Sequence, residues 1–167
     1  MSKLPQTPYD TVLVSGGFDP AHIGHIRMIL EAATYGNVIV VANSDAWLMR
    51  KKGYIFMPWG ERAEILTAVR GVVRVEKVDD TDGTVCEAIR RLKPTYFANG
   101  GDRKIDNTPE MDVCKELGVK LLWNIGGGKI QSSSDLVEAS GMVVNTESDD
   151  PDLPQPTSVE VLTSTKA

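Results

Sequence analysis

The stretch TVLVSGGFDPAHIGH, Thr11 to His25, decides how this chain folds. Thr11–Ser15 is a short β-branched run halted by Gly16 and Gly17, and it reads as a buried strand. From His22 to Tyr35 the apolar residues Ile26, Ile29, Leu30 and Ala33 recur at helical spacing, and Gly36 supplies a stop. A strand that turns through two glycines into a helix is the opening of a βα unit.

Outward from that unit the alternation continues. Val38–Asn43 is a second strand, and Pro58–Arg70 reads as a helix with Ile65, Leu66 and Val69 on one face. Val72–Val78 is a third strand. Thr84 and Glu87 form a capping-box pattern before a helix over Val85–Leu92, which Pro94 ends. Thr95–Ala98, a helix over Pro109–Leu117 closed by Gly118, and Val119–Asn124 follow. Ser132–Ser134 can cap a last helix running to Ala139. This order predicts an α/β fold, Rossmann-like and doubly wound, with about five mostly parallel strands and helices on both faces. Residues 1–143 form the domain. Residues 144–167 read as an acidic, proline-containing tail, with Glu147, Asp149, Asp150, Asp152 and Glu160 against Lys166 alone.

The 167-residue chain can bury a core without metals or disulfides, and its 41% apolar and 25% charged composition is that of a globular domain. Much of the net charge of −5 sits in the tail, so the nearly neutral body argues against a nucleic-acid partner. No run of about 20 apolar residues exists, which argues against a membrane span. The polar first ten residues, with Pro5 and Pro8, do not read as a signal peptide, so a cytoplasmic location is expected. Cys86 and Cys114 lack metal-site spacing and read as buried thiols.

In doubly wound folds ligands bind beyond the carboxyl ends of the strands. Gly16 and Gly17 lack a Cβ and let backbone N–H groups approach a phosphate, and the helix that follows favours anions at its N-terminus. His22 and His25 are the only histidines. Three residues apart on the first helical turn, they share a face, and they can donate to phosphate oxygens as charge builds on a leaving pyrophosphate. A zinc site would need more ligands, and only Asp19 lies near in sequence.

GGFDPAHIGH, Gly16 to His25, resembles the GxFDxxHxGH signature of the cytidylyltransferase-like nucleotidyltransferases, and the resemblance runs from about Val12 to Val137. Four further stretches are similar to the branch containing heptose 1-phosphate adenylyltransferases and glycerol 3-phosphate cytidylyltransferases: ANSDAWLMRKKG (Ala42–Gly53), MPWGERAEIL (Met57–Leu66), FANGGD (Phe97–Asp102) and QSSSDLV (Gln131–Val137). The resemblance implies transfer of AMP or CMP from ATP or CTP to a small phosphorylated acceptor, with Mg²⁺ and release of pyrophosphate. It implies catalytic roles for His22, His25, Lys52 and Arg62, with Arg50–Lys52 in a mobile basic loop. Gly16, Gly17, Phe18, Lys51, Gly100, Gly101, Asp102, Ser132, Ser133 and Ser134 would bind nucleotide, and Asp45 would face the acceptor. No protein metal ligands are implied, and a homodimer is the implied assembly.

Two departures bear on the acceptor. Asn99 stands where lysine is usual, and Gly127 where the glycerol 3-phosphate enzymes carry arginine. Enzymes acting on pantetheine phosphate, nicotinamide mononucleotide or flavin mononucleotide share the HxGH core and form a second reading. A nucleotide-binding module without turnover is a third. Ala21–His25 also contains the HIGH tetrapeptide of aminoacyl-tRNA synthetases, but the chain is too short for a tRNA-reading domain and its body is not basic.

Overall fold

A computed structural model of the protein describes residues 9–100, 108–128 and 130–141. Five strands and six helices alternate: β1 (Thr11–Gly16), α1 (Ile23–Ala32), β2 (Asn37–Ala42), α2 (Asp45–Lys52), α3 (Trp59–Thr67), β3 (Val72–Glu76), α4 (Cys86–Leu92), β4 (Tyr96–Gly100), α5 (Pro109–Leu117), β5 (Lys120–Ile125) and α6 (Ser133–Ala139). The strands form one sheet in the order β3-β2-β1-β4-β5, and every pairing is parallel. The chain winds outward from β1 to β3, then crosses to the other side of β1 to place β4 and β5. The Rossmann-like α/β architecture expected from the alternation is therefore the one observed.

Alternation along β1 explains the two layers. Val12 and Val14 join one buried cluster with Ile29 and Ala32 of α1 and Leu66 of α3. Leu13, between them, points to the opposite face and packs with Ala88 and Ile89 of α4 and Val113 and Cys114 of α5. A parallel strand covered on both faces must be apolar at consecutive positions, which is why Val12–Val14 reads as a continuous run.

The structure corrects four local expectations. The Arg50–Lys52 segment is not a loop: it is the last turn of α2, whose cap Gly53 has φ 79°. A left-handed cap of this kind favours glycine. Only Leu48 of α2 is buried, so the helix carries no apolar periodicity to announce it. The Thr84–Glu87 capping box does not form, because Thr84 Oγ1 donates to Asp82 and Glu87 pairs with Arg91. Helices α1 and α3 are shorter at both ends than the patterns His22–Tyr35 and Pro58–Arg70. Of the two free cysteines, Cys114 is buried but Cys86 is partly exposed. The 144–167 tail lies outside the described residues, and among those described no helix is long and apolar enough to cross a membrane.

Ile89 is fully buried in the α4–α5 layer. Truncation to alanine removes its contacts and leaves a cavity, so Ile89→Ala should cost about 2–4 kcal/mol in urea unfolding.

Candidate active site

A cleft of about 310 Å³ opens at the carboxyl ends of β1, β4 and β5. It lies where the strand order reverses between β1 and β4, the usual ligand position in such sheets. Ser15 of β1, Ala98–Gly100 of β4 and the Gly126–Gly128 turn after β5 line it. His22, His25, Lys52, Gln131 and Ser132–Ser134 add further polar side chains to the lining.

The two histidines build their own helix end. His22 is the N-cap of α1 and its Nδ1 accepts the Gly24 N–H at 3.1 Å. In return, His25 Nδ1 accepts the His22 N–H at 3.2 Å. This is a capping box made of imidazoles, and it satisfies backbone donors that a helix start leaves orphaned. Because each Nδ1 accepts, each ring carries its proton on Nε2. The rings stack with centroids 3.8 Å apart, and the Phe18 ring meets His25 edge-on at 4.8 Å. Burial, with His22 and Lys52 nearby, holds the His25 pKa down to about 3. His25 is therefore a neutral hydrogen-bond donor at physiological pH.

Lys52 reaches the same cleft from the end of α2, half-buried. Burial lowers the pKa of its ammonium, the Asp19 carboxylate works in the opposite direction, and Arg62 adds to the lowering. Lys51 is exposed and does not line the cleft. The helical phase of α2 thus separates two lysines that adjacent positions in a sequence could not distinguish.

Arg62, expected in a catalytic role with a contact to the phosphates or the acceptor, does not line the cleft. Its side chain has no exposed surface. Nε donates to the Met57 carbonyl at 3.0 Å, and Nη1 donates to those of Gly17 and Asn43 at 2.7 and 2.8 Å. Nη2 donates to Asp45 Oδ1 at 2.7 Å. Four of the five donors of a guanidinium are thereby engaged inside the protein. The expected acceptor-facing Asp45 is held in this ion pair and does not line the cleft.

Gly16, Gly17 and Phe18 also lie behind the cleft lining rather than in it. The Gly16 carbonyl accepts the Asn43 N–H at 2.9 Å, and the Gly17 carbonyl is taken by Arg62. A Cβ on Gly16 would meet the Phe18 ring at 3.3 Å, and one on Gly17 would meet Leu48 at 3.1 Å. The motif glycines here serve close packing.

Gly100 lines the cleft as expected, whereas Gly101 and Asp102 lie outside the described residues. All three serines line it in different ways. Ser132 caps α6 through Asp135 N–H, buried Ser133 donates to the Pro20 carbonyl at 2.8 Å, and Ser134 is exposed. Gly126, at φ 88°, lies so close to α1 that a Cβ would come within 2.9 Å of Met28 backbone atoms. The glycine-rich turn is thus required for β5 to reach the cleft beside α1.

Sequence reasoning assigned no role to Ser15, Asp19 or Asp80. Asp19 is fully buried, and its oxygens accept the N–H groups of Phe56 and Met57. Asp80, 2% exposed, accepts from the Asn43 amide and from the N–H and hydroxyl of Ser44, the N-cap of α2. Their partners lie 36 to 38 residues away, so no local pattern could have found them. Among the described residues no group of His, Cys, Asp and Glu could hold a metal ion.

The cytidylyltransferase-like family profile matches residues 13–139. The bifunctional protein HldE of Geobacter metallireducens is 32% identical over 132 residues, covering 76% of this chain and 26% of that protein. The chain thus spans about a quarter of the length of this relative. The FAD synthase of Thermococcus kodakarensis is 37% identical over 95 residues, 55% of this chain and 62% of that one. The lipopolysaccharide core biosynthesis protein of Thermoplasma volcanium has a similar fold, with a TM-score of 0.58 and 23% identity over 73% of this chain and 98% of that one.

The neutral His25 has a consequence for stability. The unfolded chain takes up a proton at the ordinary histidine pKa near 6.5, and the native chain does not until about pH 3. Stability from this group is complete above pH 6.5 and is lost as pH falls toward 3. Urea unfolding between pH 7.5 and 5 should show falling stability, with a flatter slope in His25→Asn. The His25 ring resonances of the native protein should not titrate over that range.

Proposed function

The chain belongs to the cytidylyltransferase-like family, and from that premise we propose that it is a nucleotidyltransferase. It moves AMP or CMP from ATP or CTP onto a small phosphorylated acceptor, a sugar or polyol phosphate, and releases pyrophosphate. The observation that carries this reading is the convergence of His22, His25 and Lys52 on one cleft at the switch point of the sheet. Three donors without a nucleophile suit a reaction in which the acceptor supplies its own.

The acceptor's phosphate is already an anion near neutral pH. One of its oxygens attacks the α-phosphorus in line, forming the new P–O bond. The bond from that phosphorus to the bridging oxygen breaks, and its electron pair leaves with pyrophosphate. The protein's part is to align the two substrates and to neutralise the charge that develops. His22 and His25, each with its proton on Nε2, donate hydrogen bonds to phosphate oxygens, and Lys52 supplies a positive charge. A neutral His25 costs no deprotonation and can donate throughout the physiological range. Mg²⁺ would enter with the triphosphate, as part of the substrate.

A second reading keeps the reaction and changes the acceptor to a cofactor precursor such as flavin mononucleotide. The similarity to an FAD synthase favours it.

Pyrophosphate release tests both readings. ATP, CTP, GTP and UTP should be offered with Mg²⁺ against sugar 1-phosphates, glycerol 3-phosphate, flavin mononucleotide, nicotinamide mononucleotide and pantetheine phosphate. Release is expected from one triphosphate with one acceptor. Binding of nucleotide without release from any pair would instead mark a binding module. Asparagine can accept a backbone N–H as the imidazoles do, so His22→Asn and His25→Asn separate capping from chemistry. Each should keep the fold while lowering kcat by about 10²–10³-fold.

A further inference from the structure

Asp19 takes no part in the chemistry above, although it lies three residues before His22 and has no exposed surface. Its Oδ2 accepts the Phe56 N–H at 2.7 Å and its Oδ1 the Met57 N–H at 2.6 Å. Those amides belong to the turn after α2, four and five residues beyond Lys52. The Met57 carbonyl is taken by Arg62 Nε at 3.0 Å, and the same guanidinium binds the Gly17 carbonyl at 2.7 Å. Met57 is therefore gripped at its N–H and its C=O, and both grips lead back to the loop between β1 and α1 that carries the histidines.

Helix α2 is anchored at its start, through Ser44 to Asp80, and in its last turn, through Arg50 Nη2 to the Asp80 carbonyl at 2.9 Å. Neither of these anchors ties the end that carries Lys52 to the histidine loop. The Asp19 clamp makes that tie, through the turn that follows the helix. We propose that Asp19 is a positioning residue that sets where Lys52 stands relative to His22 and His25, by pinning residues 56 and 57 to the histidine loop. This rests on the nucleotidyl-transfer reading for its kinetic consequence, and on geometry alone for its structural one.

The charges facing Lys52 are the Asp19 carboxylate and the Arg62 guanidinium, with His25 sharing the cleft. Of these only Asp19 favours the ammonium form. Removing its charge therefore lowers the pH at which Lys52 loses its proton, a change that a purely structural residue would not cause.

The test is Asp19→Asn in the full chain, which keeps the size but leaves one accepting oxygen and turns an amide donor against a backbone N–H. With the substrate pair that the wild type turns over, kcat should fall by about a hundredfold, with a smaller change in KM. The alkaline limb of the pH profile should move to lower pH. Ile89→Ala, destabilised in the opposite layer and remote from the cleft, should keep its kcat within about twofold as the stability control. Independently of turnover, ¹³C reductive methylation, with the Lys52 signal assigned by loss in Lys52→Arg, should show Lys52 titrating at lower pH in Asp19→Asn. A kcat loss no larger than that of Ile89→Ala, or a Lys52 titration that does not move, overturns the proposal.

If Asp19→Asn does not fold, Asp19→Glu carries the test. It keeps the charge and shifts it by one methylene, so kcat should fall while the Lys52 titration stays, and an unchanged kcat overturns the proposal. If the wild type itself releases no pyrophosphate, the reaction assignment fails. The Lys52 titration, which needs no turnover, then decides the role of Asp19.

Discussion

Arg62 carries its charge into a fully buried position, and the site depends on what it finds there. Three backbone carbonyls and one carboxylate, from three separate segments, converge on a single guanidinium. The Gly17 and Asn43 carbonyls follow the ends of β1 and β2, where the ladder can no longer hold the chain, and the Met57 carbonyl lies in the turn between α2 and α3. Removing one partner of a buried ion pair costs about 3–5 kcal/mol, so the three segments are held to one geometry around the charge. The planar fork of arginine suits this task, because its donors diverge at fixed angles that a lysine ammonium cannot reproduce.

The histidines show a similar economy. The same ring nitrogens that complete the first turn of α1 also settle which nitrogen carries the proton. Capping the helix and orienting the donor are therefore one event, and neither imidazole can rotate to its other tautomer without exposing a backbone N–H. Burial then keeps His25 neutral, which makes it a fixed dipole in the cleft. Lys52 is the contrasting case, a charge kept in a half-buried position with the Asp19 carboxylate favouring it and burial opposing it.

Asp19, Arg62 and Asp80 form a frame behind the cleft, and the groups that face the cleft are carried on it. The motif glycines let this frame pack closely. Gly16 and Gly17 let the Phe18 ring and Leu48 approach closely, and the Gly17 carbonyl is bound by Arg62. The turn of three glycines after β5 plays a comparable part, because Gly126 lies against the backbone of α1.

The sequence by itself determined the parallel order of strands and helices and the family. These follow from local signals: continuous apolar runs for two-sided strands, 3.6-residue spacing for helices, and a ten-residue motif in one loop. It also determined that His22 and His25 are neighbours, because residues three positions apart on one helical turn share a face. Only the tertiary structure decided which lysine faces the cleft, that Arg62 and Asp45 are partners behind it, and that Asp19 and Asp80 are clamps. Helix α2 had almost no apolar stripe to reveal its phase, so Lys51 and Lys52 were equivalent until the fold placed Leu48 inward. The clamps join residues more than thirty positions apart, and a buried polar side chain takes its meaning from partners that only the folded chain brings within hydrogen-bond reach.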